Sequence, residues 1–530
     1  MAEPSTDLTG AADDAGRVPG RISLAVAGLM GGIAAVNLAF FYSRGLSNLY
    51  GDGIAHVEGA RRLLDSLTPG YSEIGSVWLP LFHILAAPLA LNDFLWRSGL
   101  AGSLIASASF ALTGWVLFLL AFRLQRNGAA AVLALAGFVL CPNFLYLAST
   151  PLTEPLALLW AVLAVYGLFR FYETGRWWPL IGGGIAAFLG TLTRYDEWYV
   201  LPFAALYVLG ARREPWRQRF RHALAFSLIA GAGPVLWFLH NAYRFGNPLE
   251  FYNGPFSARA IYAHQLATSA FPYPTDGKLL LAVRYYVEDL KLVVGVWPLA
   301  LALLGLVGAL AARREWRRSS VALLFLVPLP FYINAMAYAA IPLYVPTLFP
   351  YTYYNLRYGL EMLPAAAFLP SFLLGSRESP KVRAALLGFF LLILTGQAIY
   401  TASAGARELV VAKEGFLNTP CRSRRQQAII AFLRGHYDGR RVLMAVGKWP
   451  CVMPAVGIDY RNTITDANRT YWRTLRSEPD RLVEWIVRGQ DDAVDELMNA
   501  YPQAFRDFEL VEEDSFPGEG KVEIYRLHEG

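Results

Sequence analysis

The sequence predicts a multi-span α-helical membrane protein that carries a small soluble α/β domain at its C-terminal end. Of its 530 residues, 55% are hydrophobic and 17% are charged, whereas a typical soluble protein carries about 25% charged residues. Mean hydropathy is +0.35. The 14% aromatic content excludes a disordered chain. Three cysteines are too few for a disulfide scaffold or a cysteine-rich zinc protein.

Eleven apolar runs are candidates for crossing a bilayer, which takes about 20 helical residues. The first run, residues 22–42, follows a polar stretch at residues 1–20 that we expect to be a disordered cytoplasmic tail, and it is interpreted as a signal anchor. Residues 21–404 form the predicted membrane module. Its other ten runs lie near residues 95–122, 129–148, 156–170, 179–193, 198–210, 223–240, 292–312, 320–335, 359–375 and 384–403.

The basic residues between these runs predict an orientation. The connections on one side hold 18 Lys and Arg in short loops, and those on the other side hold 11 in much longer loops. Cytoplasmic loops are enriched in Lys and Arg, so the first side is predicted to be cytoplasmic. An odd number of spans then places the C-terminus outside. Topology alone explains the pI of 9.0, and no nucleic-acid partner is needed.

Residues 405–530 have a different composition, with 20 of the 41 acidic and 18 of the 47 basic residues of the chain. This segment is predicted to be an extracytoplasmic α/β domain. Cys421 and Cys451 both lie in it, in an oxidising environment, and could pair, although a sequence does not give their distance. The helix-like stretches are 426–434, 481–487 and 493–501, and the strand-like ones are 441–446 and 522–527.

The first outer loop, residues 44–94, holds the candidate catalytic base. Asp52 stands at the start of a predicted amphipathic helix on the outer membrane surface. A carboxylate at the lipid–water boundary is partly desolvated, which raises its pKa and suits it to proton abstraction. The alternative is that Asp52 only caps the helix. His56 and Glu58 follow on the same helix and are candidate substrate-binding residues.

A second helix is predicted to begin near Pro80, also in the membrane plane. Glu73, Trp78 and His83 flank its start and are candidates for lining a sugar site, since aromatic faces stack on the apolar faces of sugar rings. Trp78 is equally well explained as an aromatic anchor at the membrane interface.

Two short outer turns carry acidic residues at the ends of apolar runs. Ionisable groups there are costly if they face lipid, so they are predicted to face a cavity. An ion pair between Arg194 and Glu197 is the alternative explanation. Together with Asp52 of the first outer loop, Glu154 and either Asp196 or Glu197 could hold a divalent cation through oxygen ligands, and the sequence leaves this open. The candidate residues in the turns are Glu154, Arg194, Tyr195, Asp196 and Glu197.

Later outer segments, at residues 241–290 and 336–358, supply candidates for binding a lipid phosphate. The planar fork of Arg357 matches paired phosphate oxygens, and we expect it at the mouth of a membrane-facing cavity shared with Asp52. The alternative is an Arg that reaches to the interface. The other candidates are Arg244, Arg259, Tyr353, Tyr354 and Tyr358.

Taken in order, these motifs resemble the GT-C superfamily of membrane glycosyltransferases, in particular the protein O-mannosyltransferase and lipid A aminoarabinose transferase branch. The resemblance covers about residues 20–375. It rests on Asp52 and two in-plane helices in the first outer loop, Thr193-Arg194-Tyr195, Phe245-Gly246-Asn247-Pro248, and Arg357-Tyr358 before a span that contains Pro364.

The resemblance implies a polyprenyl-phosphate-linked sugar donor, used on the outer face of a bacterial cytoplasmic membrane. It implies that Asp52 deprotonates an acceptor hydroxyl on a glycan, lipid or protein, and that Arg357, with Arg244 or Arg259, stabilises the leaving phosphate. A single displacement inverts the anomeric centre. The chain departs from better-known relatives at Gly53, where they often carry a second acid.

Two other classes of protein remain open at this stage. A transporter or lipid flippase would share the basic cytoplasmic loops, but transporters often place their charges mid-membrane between repeats, and this sequence shows no repeat. A non-catalytic envelope assembly protein would use the outer domain alone. The sequence contains no P-loop, dinucleotide-binding glycine motif, HExxH or GxSxG.

The orientation is testable with reporter fusions. A reporter that is active only outside the cytoplasm should be active when fused after Ala404, because the loop charges place this point outside. The same reporter fused within residues 212–221, which hold five arginines, should be inactive and is the matched control. Reporter activity within residues 212–221 and none after Ala404 would show that the protein has the opposite orientation.

Overall fold

The chain is helical up to residue 436, and beyond it helices alternate with strands. The computed structural model describes residues 18–268, 271–311, 315–374, 379–467 and 469–528. Residues 1–17 of the predicted tail lie outside the described residues. The helices of the first half are α1 (Gly20–Tyr42), α2 (Gly51–Arg62), α3 (Leu81–Ala90), α4 (Asp93–Arg97), α5 (Leu100–Gln125), α6 (Gly128–Val139), α7 (Pro142–Leu147), α8 (Glu154–Thr174), α9 (Trp177–Thr191), α10 (Asp196–Ala211) and α11 (Trp216–Phe245).

The second half of the membrane module is more broken. Three 3-10 helices, Ser320–Leu326, Leu356–Met362 and Leu369–Leu373, interrupt or replace its α-helices. The α-helices are α12 (Glu250–Asn253), α13 (Ala258–Thr268), α14 (Leu279–Val293), α15 (Val296–Ala311), α16 (Trp316–Ser319), α17 (Pro328–Tyr338), α18 (Leu363–Phe368) and α19 (Pro380–Ser403).

Several of these helices are long and apolar enough to make this an integral membrane protein. Within the described ranges, six helical segments are long and apolar enough to cross a membrane. The pair α14 and α15, bent by 112°, would be a seventh span if it is counted as one. The six are Gly20–Tyr42, Leu100–Gln125, Glu154–Thr174, Trp216–Phe245, Trp316–Tyr338 and Pro380–Ser403. The other predicted spans correspond to shorter or broken helices, so the number eleven stays a prediction.

The C-terminal region contains a mixed five-stranded sheet in the order β2-β1-β3-β5-β4. Strand β1 pairs in parallel with β2 and β3, while β5 pairs antiparallel with β3 and β4. The strands are β1 (Val442–Met444), β2 (Thr463–Thr465), β3 (Trp485–Gly489), β4 (Phe508–Phe516) and β5 (Gly520–Leu527), and the helices are α20 (Val410–Asn418), α21 (Arg424–His436), α22 (Val452–Val456), α23 (Trp472–Leu475) and α24 (Ala493–Ala500).

One local prediction in this region is wrong. Residues 481–487 were predicted to be helical, but β3 begins at Trp485 and lies in the centre of the sheet. A central strand is covered on both faces, so its side chains do not alternate between apolar and polar. Trp485, Ile486 and Val487 are all buried, and such a short apolar run has no period that separates strand from helix.

The sheet shares its apolar core with the helices of the first outer loop. Val57 of α2, Phe82 of α3 and Trp96 of α4 pack in one cluster with Ile430 and Ile486 of the C-terminal region. The sheet is therefore packed onto the membrane module, and a domain boundary at residue 405 stays a prediction. The structure also joins Cys421 to Cys451 in a disulfide.

A close contact sets α2 against the turn that precedes α8. A Cβ atom added at Gly53 would lie 2.9 Å from Cγ of Pro151, which is closer than packed carbon atoms approach. The contact explains why glycine follows Asp52, since a longer side chain would push the two segments apart. It also brings the start of α2, with Asp52, towards the start of α8, with Glu154.

Candidate active site

Asp52 lies in the first turn of α2 and is the most accessible acid of the site. The residue that precedes the helix as its N-cap is Tyr50, so the interpretation of Asp52 as the helix cap is wrong. A carboxylate in the first turn is favoured by the partial positive charge of the helix N-terminus. The Asp52 side chain is 49% exposed, which leaves it open to an incoming substrate.

Arg357 binds Asp52 directly. It stands near the start of the 3-10 helix Leu356–Met362, after Asn355, whose φ of 59° lies in the left-handed region. Its Nη2 donates to Asp52 Oδ2, and its Nε donates to Glu154 Oε1 at 2.8 Å. The side chain is 7% exposed, so the alternative of an arginine reaching out to the membrane interface is wrong.

Glu154 connects this pair to a second arginine. Its side chain is 2% exposed, and its Oε1 also lies 3.0 Å from Nη1 of Arg194. Arg194 in turn lies 3.2 Å from Asp196 and 3.3 Å from Glu361. We call these two arginines and four acids the charged network, in which each arginine contacts two or more carboxylates: Asp52, Arg357, Glu154, Arg194, Asp196 and Glu361.

The contacts between the arginines and the carboxylates stabilise the network. Charges removed from water cost several kcal/mol each unless oppositely charged groups and hydrogen bonds compensate them. Arg194 accordingly donates to Thr153 Oγ1 at 3.0 Å and to the Tyr332 hydroxyl at 2.9 Å. Arg194 pairs with Glu154, Asp196 and Glu361. Glu197, its partner in the alternative explanation, is therefore not its main contact.

Tyrosine rings enclose the arginine side of the network. The Arg357 guanidinium lies 5.1 Å from the ring centre of Tyr50 and 5.3 Å from that of Tyr358. Tyr358 stacks on Tyr332 at 4.9 Å. Guanidinium–aromatic contacts of this kind gain strength when water is excluded. Tyr354 packs instead on Tyr344, and the ring of Tyr353 faces Lys413.

His56, one helical turn beyond Asp52 on α2, contacts His83 of α3 and Trp78 of the loop before it. His56 Nδ1 is 3.0 Å from His83 Nε2, and the Trp78 ring lies 4.4 Å from the His56 ring. Burial, together with the positive charge of Arg357 and Arg194, lowers the pKa of His56 to about 3. Burial also lowers the pKa of His83. Both rings are therefore neutral at pH 7, while Trp78 stays 41% exposed.

Other predicted site residues bind elsewhere. Glu73 accepts hydrogen bonds from Ser66 and Thr68 within its own loop. Arg244 donates to the Ser72 carbonyl, and Arg259 donates to the Tyr252 hydroxyl. The structure thus places neither arginine in the charged network.

Three more predicted residues are buried beside the site. Tyr195 donates to the Val77 carbonyl and accepts from Trp237, which ties the start of α10 to the first outer loop. Glu197 is buried against Gly190. Glu58 is buried where α2 meets the C-terminal sheet, and this burial raises its pKa.

The carboxylates suggested for a divalent cation are separated by guanidinium groups. Arg357 lies between Asp52 and Glu154, and Arg194 lies between Glu154 and Asp196. In the part of the chain that the structure describes, no group of three or more His, Cys, Asp or Glu residues is arranged to hold a metal. The positive charge next to these acids is supplied by arginine.

Sequence reasoning missed Glu361 and Tyr332. Glu361 follows Arg357 by four residues within an apolar run, and an ionisable residue inside such a run is itself a sign of function. Tyr332 carries no comparable signal, because tyrosines are common at the ends of membrane helices. That Arg357 lies at the mouth of a membrane-facing cavity stays a prediction.

Comparisons with known proteins bear on this arrangement. A family model described as dolichyl-phosphate-mannose-protein mannosyltransferase matches residues 83–238, the segment that holds Glu154, Arg194 and Asp196. A comparison with curated protein sequences gives no significant match.

Solved structures share the fold at low sequence identity. ArnT from Cupriavidus metallidurans bound to undecaprenyl phosphate aligns with a TM-score of 0.55 at 14% identity, covering 94% of this chain and 98% of that chain. ArnT in the apo state gives 0.52 at 15% identity with the same coverage. The apo Archaeoglobus fulgidus oligosaccharyltransferase gives 0.47 at 12% identity, covering 96% of this chain and 74% of that chain.

Residues 83–238 match the mannosyltransferase family model and the chain shares its fold with ArnT, so the chain is similar to the mannosyltransferase and ArnT branch of the GT-C superfamily of membrane glycosyltransferases. The resemblance predicted from Asp52, Arg194 and Arg357 is thereby confirmed at the level of superfamily.

The bridging position of Glu154 predicts a large stability effect. Glu154→Gln leaves two buried guanidinium groups without their shared carboxylate, and removal of one partner from a buried ion pair costs roughly 3–5 kcal/mol. Chemical unfolding in detergent should show this loss. The control Glu288→Gln removes a partly exposed acid that pairs with Lys291 at 2.5 Å and should cost less than about 1 kcal/mol. Equal effects would contradict the bridging role.

Proposed function

We propose that this protein is a membrane glycosyltransferase that moves a sugar from a polyprenyl-phosphate-linked donor to an acceptor hydroxyl on the outer face of the membrane, with inversion. The observation that carries the proposal is the pairing of Asp52, which is half exposed, with Arg357, which is buried. One group can take a proton and the other can hold a phosphate, and the two are adjacent. ArnT, which shares this fold, is known bound to undecaprenyl phosphate.

Asp52 acts as the general base. The acceptor oxygen attacks the anomeric carbon while Asp52 takes the hydroxyl proton, and a new carbon–oxygen bond forms. The bond between the anomeric carbon and the phosphate oxygen breaks, and its electron pair leaves with the polyprenyl phosphate. Attack from the opposite side inverts the anomeric centre. The product phosphate is a stable anion and needs no general acid.

Arg357 stabilises the leaving phosphate. Its Nε and Nη2 bind Glu154 and Asp52, and neither bond uses Nη1, which is available for a phosphate oxygen. Charge that develops on the leaving oxygen is best stabilised by a donor that is already oriented. Glu154 fixes that orientation from the buried side. A phosphate that also takes Nη2 would release Asp52 for proton abstraction.

The sugar is proposed to lie between the phosphate site and Trp78. The partly exposed Trp78 ring and His83 both contact His56, which lies one turn along α2 from Asp52. An aromatic face covers the apolar face of a sugar ring, while a neutral imidazole can bind a hydroxyl without competing for the phosphate. The proposal does not rely on Arg244 or Arg259, whose roles in donor binding stay predictions.

The outer face is proposed from the sequence. The 18 basic residues in short loops on one side, against 11 in longer loops on the other, place the first outer loop and Asp52 outside. A transporter or flippase would move a lipid across proteoliposomes without forming a glycosidic bond, and an assembly protein would do neither. Transfer of a labelled sugar from a polyprenyl-phosphate donor by the purified protein distinguishes the three classes.

The central test is Asp52→Asn, which keeps the size of the side chain and removes its basicity. Sugar transfer should fall by at least about 100-fold, the usual contribution of a general base, with normal membrane insertion. Asp507→Asn, an exposed substitution of the same kind in the C-terminal region, is the control and should leave transfer unchanged. Near-normal transfer by purified Asp52→Asn protein would contradict the proposed role.

A further inference from the structure

Helix α20, the first helix after the last long apolar helix, contacts both segments that carry the reactive pair. Towards α2, the Tyr50 hydroxyl donates to the Val411 carbonyl at 2.7 Å, and Gly415 packs against the Tyr50 ring. Tyr50 directly precedes α2 and also contacts Arg357. The start of α2, and with it Asp52, therefore rests on α20.

Towards Arg357, α20 holds the backbone of the two preceding residues. The Glu414 carboxylate accepts the N–H of Asn355 at 2.7 Å through one oxygen and the N–H of Leu356 at 2.9 Å through the other. Asn418 donates to the Tyr353 carbonyl at 2.7 Å. Asn355, in this segment, has a backbone in the left-handed region. Residues other than glycine adopt that conformation uncommonly. The hydrogen bonds to Glu414 fix the backbone of the two residues directly before Arg357.

Glu414 is itself placed for this task. Its side chain is buried, and a buried carboxylate without partners would be costly, so its two backbone donors are its main compensation. Burial raises the pKa of Glu414 to about 7, so the carboxyl is about half ionised near neutral pH and largely ionised at pH 8.5. The titratable groups that face it are Tyr50, Asp52, Tyr146, Asp289, Tyr354 and Arg357.

We infer that Glu414 is a positioning residue, which sets Arg357 against Asp52 by binding the two preceding backbone N–H groups, so that the segment after the last long apolar helix completes the phosphate site. This inference rests on the proposed function. It assigns the C-terminal region a part in donor binding, because a helix of that region holds the backbone of the phosphate-binding arginine.

The test separates position from charge. Glu414→Asp keeps the negative charge but shortens the side chain by one methylene, so it cannot reach both N–H groups. The probe is undecaprenyl phosphate, titrated at pH 8.5, where Glu414 is ionised. The dissociation constant should rise by about fivefold or more, the scale of one lost hydrogen bond, while the number of binding sites stays the same. A merely structural loss would lower the number of sites and leave the dissociation constant unchanged.

A matched control and a second variant complete the test. Glu408→Asp makes the same change at an exposed acid that pairs with Lys413, and it should bind the probe normally. If Glu414→Asp does not fold, Glu414→Gln decides. The Gln amide has only one acceptor atom, so its NH₂ group faces one of the two backbone N–H donors. If Glu414 acts by positioning, this variant binds undecaprenyl phosphate more weakly. If Glu414 acts only through its charge, loss of a negative charge near Arg357 makes the variant bind more tightly.

The outcomes distinguish the two proposals. The proposed function is contradicted if the wild-type protein does not bind undecaprenyl phosphate, or if Arg357→Ala binds it as tightly as the wild type does. If binding depends on Arg357 but Glu414→Asp has the wild-type dissociation constant, only the positioning role of Glu414 is contradicted. Weaker binding by Glu414→Asp with an unchanged number of sites supports both.

Discussion

The pairing of two arginines with three buried carboxylates and the half-exposed Asp52 is the constraint on which the site depends. Asp52, Glu154, Asp196 and Glu361 come from segments far apart in sequence, and Arg194 and Arg357 join them. A charge buried without a partner costs several kcal/mol, so the segments must meet in one arrangement. The contact of Gly53 with Pro151 allows that approach. The geometry that stabilises the fold therefore also sets the proposed base beside the proposed phosphate ligand.

The sequence predicted the charged residues of the site better than its aromatic and loop residues. Glu154, Arg194 and Asp196 were singled out because ionisable side chains at the ends of apolar runs have a high cost in lipid, and Asp52 and Arg357 because they stand at the membrane boundary. These signals do not depend on how the loops fold. They led to charged residues that lie together in the structure, without showing that Arg357 contacts Asp52, since the two lie 305 positions apart in the chain.

Where the structure differs from what the sequence suggested, the local pattern lacked the information. Arg244 and Arg259 donate to Ser72 and Tyr252, outside the charged network, and their roles in donor binding stay predictions. Strand β3 was predicted to be helical because a strand buried on both faces has no alternation. Glu414 lies in a region rich in acidic residues, so composition alone does not single it out. Only its contacts with Asn355 and Leu356 distinguish it.

The most direct measurement is a structure of the protein with undecaprenyl phosphate bound. The account predicts a phosphate oxygen within about 3 Å of the Arg357 guanidinium, with Glu154 still bound to Nε and the Asp52 carboxylate released towards the open side of the site near Trp78. A phosphate bound away from Arg357, with the Arg357–Asp52 pair intact, would contradict it.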